Sequence, residues 1–300
     1  MIKTSINGIL LLDKPLQISS NGALQQVKRL FAAKKAGHTG SLDPLATGML
    51  PICFGEATKF SQFLLESDKY YEVSGQLGVK TTTGDAEGEV IEKRPIINVT
   101  PQRIQKLLAN FTGVIQQIPP MYSAIKHQGK PLYALARKGM TIERQPRQVT
   151  IHEVKLKAFS NDSFGLFVHC SKGTYIRTLI EDLGEALGCG AYVTALRRTA
   201  VAPYQQFTMY TFDELGAIFA EQGRLGLQRC LLPVESSVHA LPSITLSAAA
   251  IFYMRTGQSV MASQLPRSGH VRMMTDANQF LGIGEVLENG LLAPRRLLAV

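Results

Sequence analysis

Apolar residues along the chain form several runs that predict β-strands. Residues 8–12 carry a continuous apolar run bounded by Gly8 and by Lys14-Pro15, which predicts a buried strand. Residues 71–79 alternate strictly, which predicts a half-solvated strand with Tyr71 on its inner face. Similar patterns predict strands over residues 49–54, 149–157, 164–170 and 192–201.

Helical periodicity separates these strands. Ser19 or Ser20 can cap a first helix, and Thr100-Pro101 is typical of the start of another. A third helix is predicted to open within residues 173–177 and to end at the glycines of residues 188–190. Further helices are predicted over residues 57–65, 212–220 and 247–256.

The C-terminal part of the chain has a different pattern. From about residue 241, short apolar runs separated by glycines, such as residues 280–286, surround a single helix, which is typical of a small β-rich barrel. A chain of 300 residues with 45% hydrophobic content can hold one larger domain and one small domain. We therefore predict domains over residues 1–237 and 238–300.

Composition and charge indicate which kind of ligand the protein binds and in which cellular compartment it resides. The net charge of +9 favours a polyanionic ligand, although charge alone is weak support for one. The four cysteines lie far apart without the spacing of a zinc site, so we expect buried free thiols and no bound metal. The N-terminal apolar run is too short to span a bilayer and lacks a small-residue cleavage site, so we expect a cytoplasmic protein.

Residues 37–48, GHTGSLDPLATG, are too rich in glycine and proline for a helix and too irregular for a strand. Three glycines permit unusual backbone conformations, while Pro44 restricts Asp43 to extended geometry. We interpret the segment as a structured loop that presents one carboxylate. For an isolated Asp-Pro pair, a simple turn is the commoner explanation.

A second candidate group is basic. An aspartate nucleophile must be ionised, and a buried carboxylate stays charged only beside a cation. Arg177, at the start of a predicted helix, keeps its charge on burial where a lysine can lose it, although most single arginines are surface residues. Residues 122–138 also interleave tyrosines with Lys126, Lys130, Arg137 and Lys138, which suits an RNA backbone or, equally, a solvated basic helix.

These motifs resemble one known family. The string GHTG-S-LDPLATG resembles the nucleophile loop of the TruB family of tRNA pseudouridine synthases, and KGTYIR at residues 172–177 resembles the motif whose arginine pairs with that aspartate. DKP at residues 13–15 also matches, and the resemblance extends over residues 8–201. Residues beyond about 241 resemble, more loosely, the PUA-like RNA-binding domain of these enzymes.

The resemblance assigns roles to individual residues. It implies three catalytic residues: Asp43 is the catalytic aspartate, Arg177 is its partner, and Tyr71 stacks on the target base. It further implies four substrate-binding residues: His38, which enters the RNA stack, Tyr175, Leu196 and Lys14. Taken singly, Tyr71 and Leu196 fit an ordinary core, and His38 fits a loop hydrogen bond.

The resemblance also implies the fold and the reaction. The fold is α+β, a mixed and largely antiparallel sheet with flanking helices plus the small C-terminal domain. The reaction converts the uridine at position 55 in the T-loop of tRNA to pseudouridine on a flipped-out nucleotide, without a cofactor. We expect a monomer that binds the T-arm without an obligate protein partner. Whether Asp43 attacks the ribose anomeric carbon, attacks C6 of uracil or abstracts a ribose proton stays open.

Two other classes of protein remain as alternatives. A non-catalytic RNA-binding or tRNA-folding protein would fit the charge and the C-terminal unit. A glycoside hydrolase would use two carboxylates that flank the bond, and no partner acid is evident in the sequence near Asp43. A guide-RNA-dependent relative is disfavoured, because its extra subunits and charged tails have no counterpart in this sequence.

Overall fold

The computed structural model describes residues 6–299. Within them the α-helices are α1 (Ser20–Leu30), α2 (Ser61–Glu66), α3 (Pro101–Leu108), α4 (Leu132–Ala136), α5 (Ile176–Leu187), α6 (Phe212–Arg229) and α7 (Ala248–Arg255). The strands are β1 (Gly8–Lys14), β2 (Ala36–His38), β3 (Ala46–Phe54), β4 (Lys69–Leu77), β5 (Val79–Thr81), β6 (Val90–Lys93), β7 (Gly113–Gln117), β8 (Lys126–His127), β9 (Lys130–Pro131), β10 (Arg147–Ser160), β11 (Ser163–Cys170), β12 (Ala191–Val201), β13 (Ser243–Thr245), β14 (Gly269–Met274), β15 (Phe280–Val286) and β16 (Leu292–Leu297).

The main sheet has the strand order β1-β3-β12-β4-β11-β10-β7, with β2 paired to β3. Its pairs are antiparallel except for β12 against β3. Strand β1 covers one edge of β3 along residues 48–54, so β2 and β12 share the other edge. The predicted mixed, largely antiparallel sheet with flanking helices is confirmed. The segment that joins β2 to β3 leaves the sheet between β2 and β12.

Most predicted elements are present, with shifted ends. Ser19 is the cap of α1, and Thr100 is the cap of α3. Residues 37–38 and 46–48 of the predicted loop are strand, because β3 pairs with neighbouring strands there. The predicted strand over residues 71–79 begins at residue 69 and ends at residue 77, before Gly78, whose φ is +82°.

The predicted helices also differ in extent. Residues 55–60 form a 3₁₀-helix before α2, whereas α5 begins at Ile176, inside the predicted range of residues 173–177. The helix predicted over residues 212–220 continues to Arg229 through Gly223, whose non-helical φ of 62° marks a kink. Apolar periodicity weakens across that kink, so the pattern alone suggests too short a helix.

Strand β1 is buried on both faces. Leu10 and Leu12 belong to the larger core, together with residues of α1 and α5. Ile9 and Leu11 belong to a second apolar cluster on the opposite face of the sheet, which includes Tyr204. Because successive side chains of a strand point to opposite faces, this double burial explains the continuous apolar run.

The C-terminal unit is a four-stranded sheet in the order β13-β14-β15-β16, with α7 beside it. Its edge strands, β13 and β16, are not paired with each other in the part of the chain that the structure describes. The unit packs on the larger one through Phe280, whose ring centroid lies 5.5 Å from that of the fully buried Phe60. The Lys59 ammonium also donates to the Leu297 carbonyl at 2.9 Å.

Two expectations from composition can be compared with this fold. The four cysteines are buried free thiols, as predicted. Among residues 6–299, none of the helices combines the length and the hydropathy needed to span a bilayer.

Candidate active site

The loop around Asp43 is fastened to the protein on both sides of the carboxylate. The Leu42 amide donates to the Ser20 hydroxyl oxygen at 2.7 Å, and the hydroxyl donates back to the Leu42 carbonyl at 2.9 Å. On the other side, the Gln17 amide donates to the Pro44 carbonyl at 2.9 Å. These bonds hold the loop against the start of α1 and the turn before it.

Two of the three loop glycines occupy conformations that favour glycine. Gly40 has a φ of +83° and Gly48 a φ of +98°. A Cβ atom on Gly48 would lie 2.2 Å from the Arg198 carbonyl oxygen, so the close approach of β3 to β12 requires glycine there. Gly37 has no such φ and lies in β2.

Arg198 supports the loop from beneath. Its side chain is buried, its Nε donates to the Met49 carbonyl at 2.7 Å and its Nη2 donates to the Gly40 carbonyl at 3.0 Å. The sequence patterns assigned it no role. A signal is available, because a strand repeats every two residues and Arg198 therefore shares a face with Leu196, which fits an ordinary core. The neighbouring Arg197 points the other way and pairs with Asp13 at 2.7 Å.

Arg177 pairs with Asp43, as the family resemblance implied. The distance from Arg177 Nη2 to Asp43 Oδ2 is 3.0 Å. The same nitrogen donates to the Tyr122 carbonyl at 2.6 Å, and Nη1 donates to the Thr83 carbonyl at 2.9 Å. With these carbonyl contacts, the guanidinium is fixed in one orientation.

Arg177 serves a second carboxylate that the sequence motifs did not identify. Asp85 Oδ2 lies 3.5 Å from Arg177 Nη1, and the Asp85 side chain is only 3% exposed. No partner acid is evident in the sequence near Asp43, and the structure adds Asp85 to the surroundings of Arg177. Asp85 was missed because it lies in a polar, turn-rich segment without periodicity. Since Asp85 is buried behind Arg177 rather than facing Asp43 across a cavity, it does not supply the flanking pair of a glycoside hydrolase.

The charge balance at Asp43 reflects the fact that Asp43 and Asp85 share one cation, Arg177. Protein atoms that surround the carboxyl group raise its pKa above the usual value, and the negative charge of Asp85 raises it further. Arg177 and, less strongly, Lys14 lower that pKa. The net shift is upward, so the single arginine offsets only part of the cost of an ionised Asp43.

A cavity of about 300 Å³ opens above Asp43. Tyr71, Leu196 and Tyr175 line it together with Asp43 and Arg177, so five of the predicted site residues meet there. Tyr71 and Leu196 are buried, and burial raises the pKa of the Tyr71 phenol. The walls thus combine apolar and aromatic surface with one carboxylate, which suits a planar, partly polar ligand.

Tyr175 is positioned through its backbone. Its amide donates to the side-chain oxygen of Gln117 at 3.0 Å, and the Gln117 amide nitrogen donates to the Tyr175 carbonyl at 3.2 Å. This reciprocal pair fixes the residue that precedes α5, which in turn carries Arg177.

Two predicted residues lie outside the cavity wall. His38 is in β2, and burial lowers its pKa. Lys14 is fully buried at the end of β1, where its ammonium donates to the carbonyls of Pro15 and Ile18, each at 2.8 Å. Burial lowers the pKa of Lys14 to about 8. The positive charge of Lys14 lowers the pKa of Asp43 from a distance, and the Lys14 side chain does not line the cavity.

The basic segment, residues 122–138, begins at the same cavity, which residues 122–124 line. Lys126 and Lys130 lie on a short hairpin of β8 and β9 and are exposed. In α4 the exposed Tyr133 has the Arg137 guanidinium over its ring, 5.7 Å from the centroid. Because the Tyr122 carbonyl accepts from Arg177, this segment is joined directly to the active-site cation.

Sequence profiles of known families match nearly the whole chain. Residues 28–176 match "TruB family pseudouridylate synthase (N terminal domain)". Residues 177–239 match "tRNA pseudouridylate synthase B C-terminal domain", and residues 242–298 match "Pseudouridine synthase II TruB, C-terminal".

Individual proteins are similar over almost their full length. The chain is 55% identical to a tRNA pseudouridine synthase B of Coxiella burnetii (strain RSA 493 / Nine Mile phase I) over 99% of this chain and 96% of that protein. It is 55% identical to the protein of the same name from Pseudomonas fluorescens (strain Pf0-1), over 99% and 97%.

Solved structures share the fold. A chain of a Cbf5-Nop10-Gar1 complex superposes with a TM-score of 0.75 at 24% identity, over 97% of this chain and 84% of that one. A chain of an H/ACA RNP bound to a substrate RNA containing 2'-deoxyuridine gives a TM-score of 0.75 at 22% identity, over 98% and 85%.

Proposed function

The chain belongs to the TruB family of tRNA pseudouridine synthases, and we propose from that premise that it isomerises the uridine at position 55, in the T-loop of tRNA, with Asp43 as its catalytic carboxylate. The observation that carries the proposal is the Asp43–Arg177 pair at 3.0 Å beside a cavity lined by Tyr71 and Leu196. A carboxylate on a fastened loop, with a buried cation behind it, is suited to act on a bound nucleotide.

The isomerisation conserves every atom of the uridine. The bond between the ribose anomeric carbon and N1 of uracil breaks, the base turns within the cavity, and a bond forms between that carbon and C5. The proton on C5 is lost and N1 gains a proton. Asp43 starts this sequence by attack on the anomeric carbon, by attack on C6 or by removal of a ribose proton. Tyr71 stacks on the base during the turn, and Leu196 packs beside it.

The target base must leave its stack to reach Asp43. Extrusion costs a few kcal/mol, which stacking on Tyr71 and insertion of His38 into the vacated position would offset. Tyr175 contacts the bound nucleotide. A T-loop suits this process, because its bases can be splayed out and its shape can be recognised without a full base code.

Positive charge holds the RNA backbone. The exposed Lys126, Lys130 and Arg137 follow residues 122–124, which line the cavity, and they suit phosphate contacts. Lys14 assists from inside, since its charge lowers the pKa of Asp43. The unit of residues 238–300 adds backbone contacts away from the chemistry performed by residues 1–237, and the enzyme acts in the cytoplasm as a monomer.

The test uses an unmodified tRNA transcript, the purified protein and two variants. Wild type is expected to form pseudouridine at position 55 and nowhere else in the transcript. Asp43→Asn is expected to form none while binding tRNA with nearly normal affinity. Asp162→Asn, which removes an exposed carboxylate in the turn between β10 and β11, serves as the matched control and should retain full activity.

The outcomes separate the parts of the proposal. Pseudouridine at a position other than 55 would overturn the target. Turnover by Asp43→Asn beyond trace contamination would overturn the role of Asp43. Tight tRNA binding by wild type without any product would instead indicate a non-catalytic RNA-binding or tRNA-folding protein.

A further inference from the structure

Three possible metal ligands meet on the face of the main sheet opposite the cavity. Tyr71 faces the cavity, so its neighbour Tyr70 points to the other face. His169 is paired with Tyr70 across β11 and β4 and shares that face. His152 lies at an irregularity of β10 between Ile151 and Glu153. Asp68, which directly precedes β4, completes the group.

The ligand atoms of this group already have the spacing of a zinc site. Asp68 Oδ2 lies 3.2 Å from His169 Nε2 and 3.3 Å from His152 Nε2, and the three atoms lie within 4.8 Å of one another. With Zn–N and Zn–O bonds of about 2.1 Å, the ligand atoms of a tetrahedral site are about 3.4 Å apart. Two of the three ligand pairs are close to this distance, and the atoms of the third pair lie within 4.8 Å of each other.

Neighbouring groups hold the ligands in place. The Tyr70 ring stacks on the His169 ring with centroids 4.2 Å apart and an interplanar angle of 13°. Gln205 Nε2 donates to the Tyr70 hydroxyl oxygen at 3.0 Å, which fixes that ring. The Ala202 amide donates to the Asp68 carbonyl at 3.0 Å and fixes the backbone of the carboxylate ligand. Such supporting contacts orient the ligands of a metal site before the metal arrives.

We propose that Asp68, His152 and His169 bind one Zn²⁺ ion, with a fourth position open to solvent. Two imidazoles and one carboxylate are a ligand set that suits zinc, whereas Mg²⁺ prefers oxygen ligands alone. The ion can enter from solvent, because 38% of the His152 side chain and 36% of the Asp68 side chain are exposed. The bound ion links Asp68, just before β4, to His152 of β10 and His169 of β11, which lie far from Asp68 in sequence.

The experiment titrates tag-free, chelator-treated protein with ZnCl₂ and follows heat of binding and thermal unfolding. We expect one saturable site per chain and a higher Tm with Zn²⁺, and neither effect with MgCl₂. His152→Ala should lose the site and the Tm increase while unfolding near the wild-type temperature in chelator, because His152 is partly exposed. His239→Ala, which removes an exposed histidine outside the group, is the matched control and should bind like wild type.

Tyr70→Ala supplies a second test, since it keeps all three ligands and removes the stack on His169. We expect its Zn²⁺ affinity to fall by about tenfold. Saturable binding by His152→Ala with wild-type affinity, or the absence of a saturable site in wild type, would overturn the proposal. The rate of pseudouridine formation should be the same in Zn²⁺ and in chelator, so the zinc site and the catalytic assignment are tested independently.

Discussion

Arg177 reaches Asp43 at 3.0 Å, with 6% of the Arg177 side chain exposed against 43% of the Asp43 side chain. The cation is therefore enclosed by protein while its carboxylate partner faces the cavity. The buried guanidinium already donates hydrogen bonds to fixed carbonyl groups, so it does not need to rearrange when substrate binds. This is the arrangement expected of a preorganised site.

Replacing Arg177 by lysine should lower the single-turnover rate by a large factor and weaken tRNA binding much less. A lysine keeps the charge but cannot serve two carboxylates and two carbonyls at once, as the guanidinium does. The measurement is the rate at saturating tRNA together with the tRNA affinity. Arg94→Lys, at a surface ion pair, is the control. A near-normal rate for Arg177→Lys would show that this pairing does not prepare Asp43.

Asp85→Asn should shift the acid side of the pH–rate profile to lower pH. Asp85 raises the pKa of Asp43, so removing its charge lowers that pKa and keeps Asp43 ionised in more acidic solution. Single-turnover rates measured between pH 4 and pH 8 report this shift. An unchanged acid side, or a shift toward higher pH, contradicts the proposed coupling of the two carboxylates through Arg177.

Asp43→Asn should unfold at a higher temperature than wild type at neutral pH. Because the folded protein raises the pKa of Asp43, wild type loses stability as pH increases through that pKa, and an uncharged amide does not. The difference in Tm should grow as pH rises from about 4 to 7. Asp162→Asn should show no such trend. A variant less stable than wild type at pH 7 would mean that the pairing with Arg177 outweighs the cost of burial.

Lys69→Met should remove part of the pH dependence of stability above pH 8. Burial lowers the Lys69 pKa from 10.5 to about 8, so the unfolded chain binds more protons in this window and stability rises with pH. Between pH 8 and 9.5 the group contributes at most about 2 kcal/mol of this rise. Urea unfolding at pH 8 and at pH 9.5 measures this contribution, with Lys93→Met, which removes an exposed lysine, as control. Equal slopes in wild type and Lys69→Met would contradict the assignment.

Removal of the C-terminal unit beyond about residue 241 should weaken tRNA binding and leave the single-turnover rate at saturating tRNA nearly unchanged. All proposed catalytic residues precede that boundary. For every phosphate that the truncated protein no longer binds, the slope of log affinity against log salt should become shallower by about 0.7 to 0.9.

Truncation also uncovers the fully buried Phe60, so a full-length variant is needed beside it. The double variant Arg255→Gln with Arg267→Gln removes two exposed charges of the unit and leaves the Phe60–Phe280 contact intact. Normal binding with slow turnover in either protein would place this unit in the chemistry or in closure of the site.

Sequence patterns predicted elements that combine regular apolar spacing with clear caps. Strand β1 and helix α3 are of this kind, and the family motifs predicted five residues that meet at one cavity, although their roles stay predictions. Asp85 could not be predicted, because a buried carboxylate in a polar turn leaves no periodic signal. Arg198 lay within reach of a period-two argument, but its carbonyl partners, Gly40 and Met49, depend on a strand pairing that the sequence does not reveal.

The parallel pairing of β12 with β3 has a consequence for the order in which the protein matures on the ribosome. Arg198, which supports the loop at Gly40, is separated from Met49 by 149 positions in the chain. At about 5 to 20 residues per second, roughly seven to thirty seconds of translation separate the two. During that interval the nascent polypeptide carries Asp43 without the arginine that supports the surrounding backbone, so the loop acquires this support only after β12 has emerged.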